Sequence, residues 1–171
     1  INAQSVGQAR QGVSGSAYAD ITATTSALFG LIKKSKTSTE TQALSAEISR
    51  QFTMIVSNMY DSILAAAKIF GSDQKLIGAV LDAFQIDMSK ISFKDLSGEE
   101  IEKELQAIFS KLGDDMAGAA FPGLIEFQKV GEGAYETLIR LAQDYAATNA
   151  ILEILGKDTA TAYGTIYPDL R

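Results

Sequence analysis

Residues 39–71, TETQALSAEISRQFTMIVSNMYDSILAAAKIFG, carry the strongest structural signal of the chain. Apolar side chains recur in it at spacings of three, four or seven, the period of one face of an α-helix. Thr39 and Gln42 fit the capping box that opens many helices, and Gly71 stands where helices often end. The sequence therefore predicts an amphipathic helix over about 40–70. The stripe that we expect it to bury is Leu44, Ile48, Phe52, Ile55, Met59, Ile63 and Phe70.

A second, shorter helix is predicted directly after the first. Ser72 or Asp73 can cap it, and the apolar pattern continues over about 73–84. The side that we expect this helix to bury is Leu76, Ile77, Val80, Leu81 and Phe84.

Breaks divide the second half of the chain into three further helices. A second capping box, formed by Ser97 and Glu100, predicts a helix over about 98–119. The Phe-Pro-Gly break that follows predicts a restart over about 123–130. A Gly-Glu-Gly break then separates this segment from a last helix over about 134–155. Their apolar stripes are Ile101, Leu105, Ile108, Phe109, Leu112 and Met116 in the first, and Leu138, Leu141, Tyr145, Leu152 and Leu155 in the last.

Strand-like patterns in two places, about 18–38 and 86–94, predict a small antiparallel β element. Threonines flank a Gly-containing centre in the first segment, which favours a hairpin with 18–26 paired to 32–38. Its alanines leave a helix as the rival interpretation. Apolar residues alternate in the second segment, with a turn or bulge near Ser89. We expect this strand to pair with the Thr-rich hairpin.

The composition divides the chain into three parts. Residues 1–16 are rich in Gln, Ser and Gly, and we expect them to be a flexible lead-in. Residues 17–156 are predicted to form a single, mostly helical module. Residues 157–171 lose the periodic pattern and are predicted to be an irregular segment. The fold class is therefore mainly α with a small β element.

Residue usage excludes several classes of function. The chain has no histidine and no cysteine, which removes Ser-His-Asp triads, thiolate nucleophiles and His- or Cys-ligated zinc. Twenty-one acidic residues against 15 basic ones give a net charge of −6, which opposes specific nucleic-acid binding. The most apolar stretch, Met54 to Phe70, contains Asn58, Asp61 and Lys68, so no membrane span is predicted.

One short motif invites a catalytic interpretation. Ser72 and Lys75 fit S-x-x-K, in which a lysine amine activates a serine at the start of a helix. The companion S-D-N motif is absent, and Lys36-Thr37-Ser38 only approximates K-T-G. Ser72 as a helix cap explains the same residues.

Acidic, basic and glycine clusters have structural explanations as well. Adjacent helical residues diverge by about 100°, so neither Asp114-Asp115 nor Glu99-Glu100 can aim both carboxylates at one atom. A solvated helix face explains both pairs. The basic cluster Lys33, Lys34 and Lys36 suits a protected strand edge. Gly131 and Gly133 lack the third glycine of a dinucleotide-binding loop. We therefore predict no catalytic, cofactor-binding or metal-binding residue, no cofactor and no enzymatic activity.

Several runs of sequence, taken in their order along the chain, resemble phage tail tape measure proteins. The likeness covers roughly residues 17–156. The runs that carry it are Phe29-Gly30-Leu31, Lys36-Thr37-Ser38-Thr39, Arg50-Gln51-Phe52, Lys90 to Ile101, Lys111 to Ala117 and Gly131 to Leu138.

The resemblance implies a prophage or phage minor tail protein, of which this chain would be an internal or C-terminal part. Its function would be structural, in tail assembly and length determination. Its candidate partners would be tail-tube proteins, tip or hub proteins, assembly chaperones and further copies of itself. It would reside in the virion tail, and in the host cytoplasm before assembly.

Two other functions stay open from the sequence. One is a tail-associated domain that cleaves peptidoglycan or peptides through Ser72 and Lys75 or a carboxylate pair. The other is a fragment of a secreted helical effector or adhesin with no connection to phages.

Overall fold

The computed structural model of this protein describes residues 1, 3–19, 40–86 and 96–154, with the side chains of 17–19, 40–42 and 152 left out. Most of the described residues are helical, which confirms the mainly α fold class with a small antiparallel β element. The helices are α1 (Val6–Ala9), α2 (Ala46–Ile69), α3 (Gln74–Ala83), α4 (Gly98–Ala120), the 3-10 helix (Pro122–Phe127) and α5 (Ala134–Ile154). The strands are β1 (Gln4–Ser5), β2 (Ser16–Ala19), β3 (Glu40–Ala43) and β4 (Gln85–Ile86).

The chain forms two compact units. The sequence predicted a single module over residues 17–156 and gave no sign of this division. The first unit consists of Ile1–Ser57 and Gln85–Phe109, and the second of Asn58–Phe84 and Ser110–Arg171. Each unit thus includes one part of α2 and one part of α4. Within the part of the chain that the structure describes, no helix is both long and apolar enough to cross a bilayer.

The start of the predicted first helix is wrong. Glu40–Ala43 is strand β3, antiparallel to β2, and the helix begins only at Ala46. The side chain that serves its first turn is Ser45, whose Oγ accepts the backbone N–H of Ile48 at 3.4 Å. A four-residue capping pattern is short, and Thr-rich sequence also favours strands, so pairing with β2 prevails over the helix start predicted at about residue 40.

The predicted end of this helix is confirmed. Gly71 adopts the left-handed conformation with φ +70°, which a residue without Cβ takes at least cost. The backbone N–H of Gly71 donates to the carbonyl of Lys68 at 3.1 Å, and that of Ser72 donates to Ala67 at 2.9 Å. These bonds satisfy carbonyls that the last helical turn leaves open.

In the central part of α2, the buried residues come one position after those of the predicted stripe: Val56 is buried instead of Ile55, and Tyr60 instead of Met59. Phe52, Ile55 and Met59 are only half-buried. The fully covered positions of α2 are instead Ile48, Val56, Tyr60, Ile63, Ala66 and Ala67, followed by Phe70 just beyond its end. Alanines and a tyrosine thus take several of the buried positions, and the half-buried Phe52 still packs on Phe109 with ring centroids 5.2 Å apart.

Residues 1–16 have regular structure, in contrast to the expected flexible lead-in. Ser5 and Gln8 form a reciprocal capping box on α1, and Val6 is fully buried. The backbone N–H of Val13 donates to Thr53 Oγ1 at 2.9 Å, and its carbonyl accepts a hydrogen bond from Ser49. A few apolar side chains and backbone hydrogen bonds are enough to fix this polar segment on the first unit.

The predicted partner of the strand at 86 is also wrong over the described residues. β4 pairs antiparallel with β1, with Gln4 opposite Ile86, and not with the Thr-rich hairpin. Residues 20–39 and 87–95 lie outside the described residues, and with them most of that hairpin, the rest of the strand and the lysine cluster of Lys33, Lys34 and Lys36. The predicted irregular segment 157–171 lies outside them too.

The remaining helices follow the prediction with one change of type. Ser97 and Glu100 form the predicted capping box, with the Ser97 N–H donating to the Glu100 carboxylate at 2.7 Å. The predicted helix over 123–130 is a 3-10 helix that opens on Pro122 and ends at Phe127. Proline suits the first turn of a helix because it has no N–H to donate there.

Packing in the second unit involves a group of aromatic rings. Phe70 contacts Phe121 and Tyr145 edge to face, with ring centroids 6.0 and 5.8 Å apart. In the same unit, Leu124, Leu138 and Leu141 are all at most 1% exposed. This core holds the start of α5 in place, where the main polar cluster lies.

Candidate functional site: the α5 polar cluster

The densest polar arrangement among the described residues lies at the start of α5. We call Asp114, Glu132, Thr137 and Arg140 the α5 polar cluster. It belongs entirely to the second unit. A glycine turn positions it: Gly131 has φ +83°, and the Glu132 N–H donates to the carbonyl of Lys129 at 3.0 Å. This turn folds Glu132 back towards α5.

Glu132 and Arg140 form a bidentate ion pair. Arg140 Nε lies 2.7 Å from Glu132 Oε1, and Arg140 Nη2 lies 2.9 Å from Oε2. Arg140 Nη2 also donates to the carbonyl of Phe127 at 2.8 Å. The side chains are only 14% and 24% exposed, so the pair is better shielded from water than an ordinary surface ion pair.

A buried hydroxyl completes the contacts of this pair. Thr137 is fully buried, and its Oγ1 lies 2.9 Å from Glu132 Oε2 and 2.8 Å from the carbonyl of Gly133. The single hydroxyl proton is therefore shared between two acceptors. The backbone N–H of Lys129 adds a further hydrogen bond to Glu132 Oε2 at 3.1 Å.

These contacts fix the protonation state of Glu132. The hydrogen bonds from Arg140, above all, and from the Lys129 backbone lower the pKa of Glu132 to about 2. The carboxylate is thus ionised throughout the physiological range, and its two oxygens already accept hydrogen bonds from the fold. A general acid needs a raised pKa and an oxygen that can reach the substrate, and Glu132 offers neither.

Asp114 joins the cluster from α4. Its Oδ1 accepts the backbone N–H of Tyr135 at 2.9 Å, in the first turn of α5. The helix dipole favours a carboxylate there. The Asp114 carboxylate also lies where a side chain on Gly133 would stand. Because glycine has no Cβ, Gly133 lets the Asp114 carboxylate come this close to the start of α5.

The structure confirms that the side chains of Asp114 and Asp115 point in different directions. Asp115 is exposed and pairs with Lys111 along α4, whereas Asp114 turns to α5. The prediction of a solvated face is correct for Asp115 and wrong for Asp114, which is half-buried. Glu99 and Glu100 are exposed, and the hydrogen bonds from Ser97 lower the pKa of Glu100.

Ser72 lies in the loop between α2 and α3, and Lys75 lies in the first turn of α3. The Ser72 N–H closes the end of α2. The cap of α3 is Asp73, whose Oδ1 accepts the N–H groups of Lys75 at 2.9 Å and Leu76 at 3.2 Å. Ser72 as the cap, one of two predicted options, is therefore wrong. Over the described ranges, no group of three or more acidic side chains is placed to hold a metal ion.

The patterns in the sequence do not predict Glu132, Thr137 and Arg140 as a unit. A signal was present, because Thr137 and Arg140 stand beside Leu138 and Leu141 in the apolar stripe of α5. A polar side chain next to a buried stripe needs a hydrogen-bonding partner. The Gly-Glu-Gly turn eight residues before Arg140 supplies that partner.

Comparison with known proteins gives no match for this chain. No family model fits it, and neither a curated protein nor a solved structure is similar to it.

Proposed function

We propose that this chain is a structural, non-catalytic module of a phage tail tape measure protein. It would take part in tail assembly and length determination by docking to tail-tip or hub proteins. One observation carries the non-catalytic part. The polar groups of the α5 polar cluster hydrogen-bond to backbone groups, helix starts and one another. Such an arrangement stabilises a fold, because its charged groups already bind other groups of the same chain.

The segments that resemble tape measure proteins contain every residue of this cluster except Arg140. Asp114 comes from the run Lys111 to Ala117, and Gly133, Tyr135 and Thr137 come from the run Gly131 to Leu138. The two runs meet through the hydrogen bond from Tyr135 to Asp114. The proposal that this chain belongs to that class of protein therefore rests on the sequence resemblance.

The proposed partners are other tail proteins: the tail tube, the tip or hub and the assembly chaperones. The proposed location is the virion tail, with the host cytoplasm before assembly. An α-helix rises 1.5 Å per residue, so 171 residues of continuous helix would span about 250 Å. The longest helix in the part of the chain that the structure describes has 24 residues, which is about 36 Å. Two compact units fit a docking role better than that of a continuous ruler.

An in-frame deletion of residues 40–155 in the parent gene tests this proposal. We expect no tails, or tails with defective tips, in negative-stain micrographs. A deletion of equal length in a predicted rod region of the same gene is the control and should shorten the tail. Viable phage whose tails shorten in proportion to the 40–155 deletion would assign this segment to the ruler. Zymography on peptidoglycan adds a second arm, since clearing that Ser72→Ala abolishes would overturn the non-catalytic part.

A further inference from the structure

Two hydroxyl side chains of α2 bind the main chain of residues 3–16. The backbone N–H of Val13 donates to Thr53 Oγ1 at 2.9 Å, and the carbonyl of Val13 accepts a hydrogen bond from Ser49 Oγ. Thr53 Oγ1 donates its own proton to the carbonyl of Ser49 at 2.7 Å. We call residues 3–16 the docked segment, and Ser49 with Thr53 the α2 hydroxyl pair. Both belong to the first unit.

The contacts of the docked segment define what this site recognises. The α2 hydroxyl pair binds both main-chain polar groups of one residue, which every residue except proline carries. The side chain of that residue, Val13, is buried. Two residues later, the carbonyl of Gly15 accepts the N–H of Leu44 at 3.0 Å, and a Cβ on Gly15 would lie 2.8 Å from Leu44 Cδ1. The site therefore selects a small apolar side chain followed two residues later by glycine.

The docked segment is attached in a way that permits its release. Its buried apolar side chains are the small ones of Val6, Ala9 and Val13. Gln4 is only 7% exposed, and over the residues that the structure describes its Nε2 group has no hydrogen-bond partner. A buried donor without an acceptor carries a desolvation cost, which release into water would recover. The docked segment thus occupies its site with imperfect complementarity.

We infer that the α2 hydroxyl pair belongs to a peptide-binding site, which the docked segment fills as an internal ligand. The external ligand is a segment of a partner protein with the same chemistry, an uncharged peptide in which glycine follows a β-branched residue by two positions. Main-chain hydrogen bonds supply affinity in this mode, and a side-chain pocket supplies specificity. The docked segment competes at high effective concentration, so its contact is autoinhibitory. This inference does not depend on the proposed function.

Release of the docked segment tests this inference in the 171-residue chain. Val13→Asp places a charge at a buried position and should free the site. The probe is a fluorescent peptide with the sequence of residues 3–16, AQSVGQARQGVSGS. Fluorescence anisotropy should show saturable binding to the Val13→Asp chain, and binding at least about tenfold weaker to the wild type. The same peptide carrying Val13→Asp should not bind to either chain.

A second substitution locates the bound peptide on α2. Thr53→Val, added to the Val13→Asp chain, removes the acceptor for the peptide N–H and should weaken binding about tenfold. Thr148→Val makes the same chemical change on α5, in the second unit, and should leave the affinity unchanged. Peptide binding that Thr53→Val does not weaken would overturn the inference, because the peptide would then occupy another surface.

A milder release variant separates loss of the contact from loss of the fold. Gly15→Ala brings a Cβ to 2.8 Å from Leu44 Cδ1 and 3.0 Å from Ile1 Cα, and should displace the docked segment without adding a charge. Circular dichroism should show the wild-type helical signal in at least one release variant. Folded variants that do not bind the peptide, or a wild type that binds it equally well, would overturn the inference. So would loss of the helical signal in both variants, because the docked segment would then be an integral part of the fold.

Discussion

Arg140 holds the carboxylate of Glu132 with two parallel hydrogen bonds, Nε to Oε1 at 2.7 Å and Nη2 to Oε2 at 2.9 Å. The same guanidinium reaches the carbonyl of Phe127 at 2.8 Å and lies 3.8 Å from Asp144. One side chain of α5 thus connects the 3-10 helix, the glycine turn and α5 itself. A lysine has a single ammonium group and cannot reproduce this planar fork.

The first prediction concerns the pH dependence of stability. The pKa of Glu132 is lowered from 4.5 to about 2 in the folded chain. A lowered carboxyl pKa contributes stability above the unfolded value, and this contribution is lost as the pH falls through the folded value. We therefore expect the stabilisation from Glu132 to be complete above pH 4.5 and to disappear towards pH 2.

Thermal melts of the wild type and of Glu132→Gln between pH 2 and 7 measure this contribution. The melting temperatures should differ most near neutral pH and converge at the acidic end. Arg140→Lys should fall between them at neutral pH, because one of the two parallel bonds is lost. A constant difference between wild type and Glu132→Gln across the whole range would contradict the assignment to this carboxylate.

The second prediction separates the two residues that could cap α3. Asp73→Ala removes the acceptor for two backbone N–H groups and should lower the free energy of unfolding by about 1 kcal/mol. Ser72→Ala leaves these bonds intact and should have a smaller effect. Urea denaturation at pH 7 measures both. Equal losses for the two variants, or a larger loss for Ser72→Ala, would contradict the assignment of Asp73 as the cap of α3.

The local signals in the sequence predicted helices well where residues near in the chain decide the outcome. Gly71 ends α2 and the Ser97–Glu100 box opens α4, because both features depend on bonds within a few residues. The start of α2 was missed because strand β3 has its partner in β2, on the other side of residues 20–39. No local pattern contains that pairing.

The faces of the helices were predicted less well than the helices themselves. In α3, Leu76 and Ile77 are both apolar, and only the packed structure shows that Ile77 is the buried one. The α5 polar cluster was missed for a similar reason, because Asp114 reaches Tyr135 across 21 residues. Such contacts come from tertiary packing, which the period of the hydrophobic pattern does not contain.

The third prediction tests the corrected face of α2. Val56, which the predicted stripe does not contain, is buried, whereas Ile55 is half-buried and Glu47 is exposed. Val56→Asp buries an unpaired charge and should cost several kcal/mol, on the order of the whole stability of a domain. Ile55→Asp should cost clearly less, and Glu47→Ala about 0.5 kcal/mol or less. Circular dichroism melts rank the three variants, and a larger loss for Ile55→Asp than for Val56→Asp would restore the predicted stripe through Ile55.

The last prediction uses the contact between Gly133 and Asp114. A Cβ at position 133 would overlap the Asp114 carboxylate, which accepts the N–H of Tyr135. Gly133→Ala should therefore displace Asp114 and cost about 1–3 kcal/mol in urea denaturation. Gly118→Ala is the matched control, because α4 leaves open space around Gly118. It should stabilise the helix by about 0.5–1 kcal/mol.

A double variant shows whether the overlap causes the loss. Asp114→Ala alone removes the bond to Tyr135 and should cost about 1 kcal/mol. Once Asp114 has been shortened, adding Gly133→Ala should cost little more, because the carboxylate that it would meet is gone. Losses that add fully in the double variant would mean that Gly133 is needed for another reason, such as its own backbone conformation.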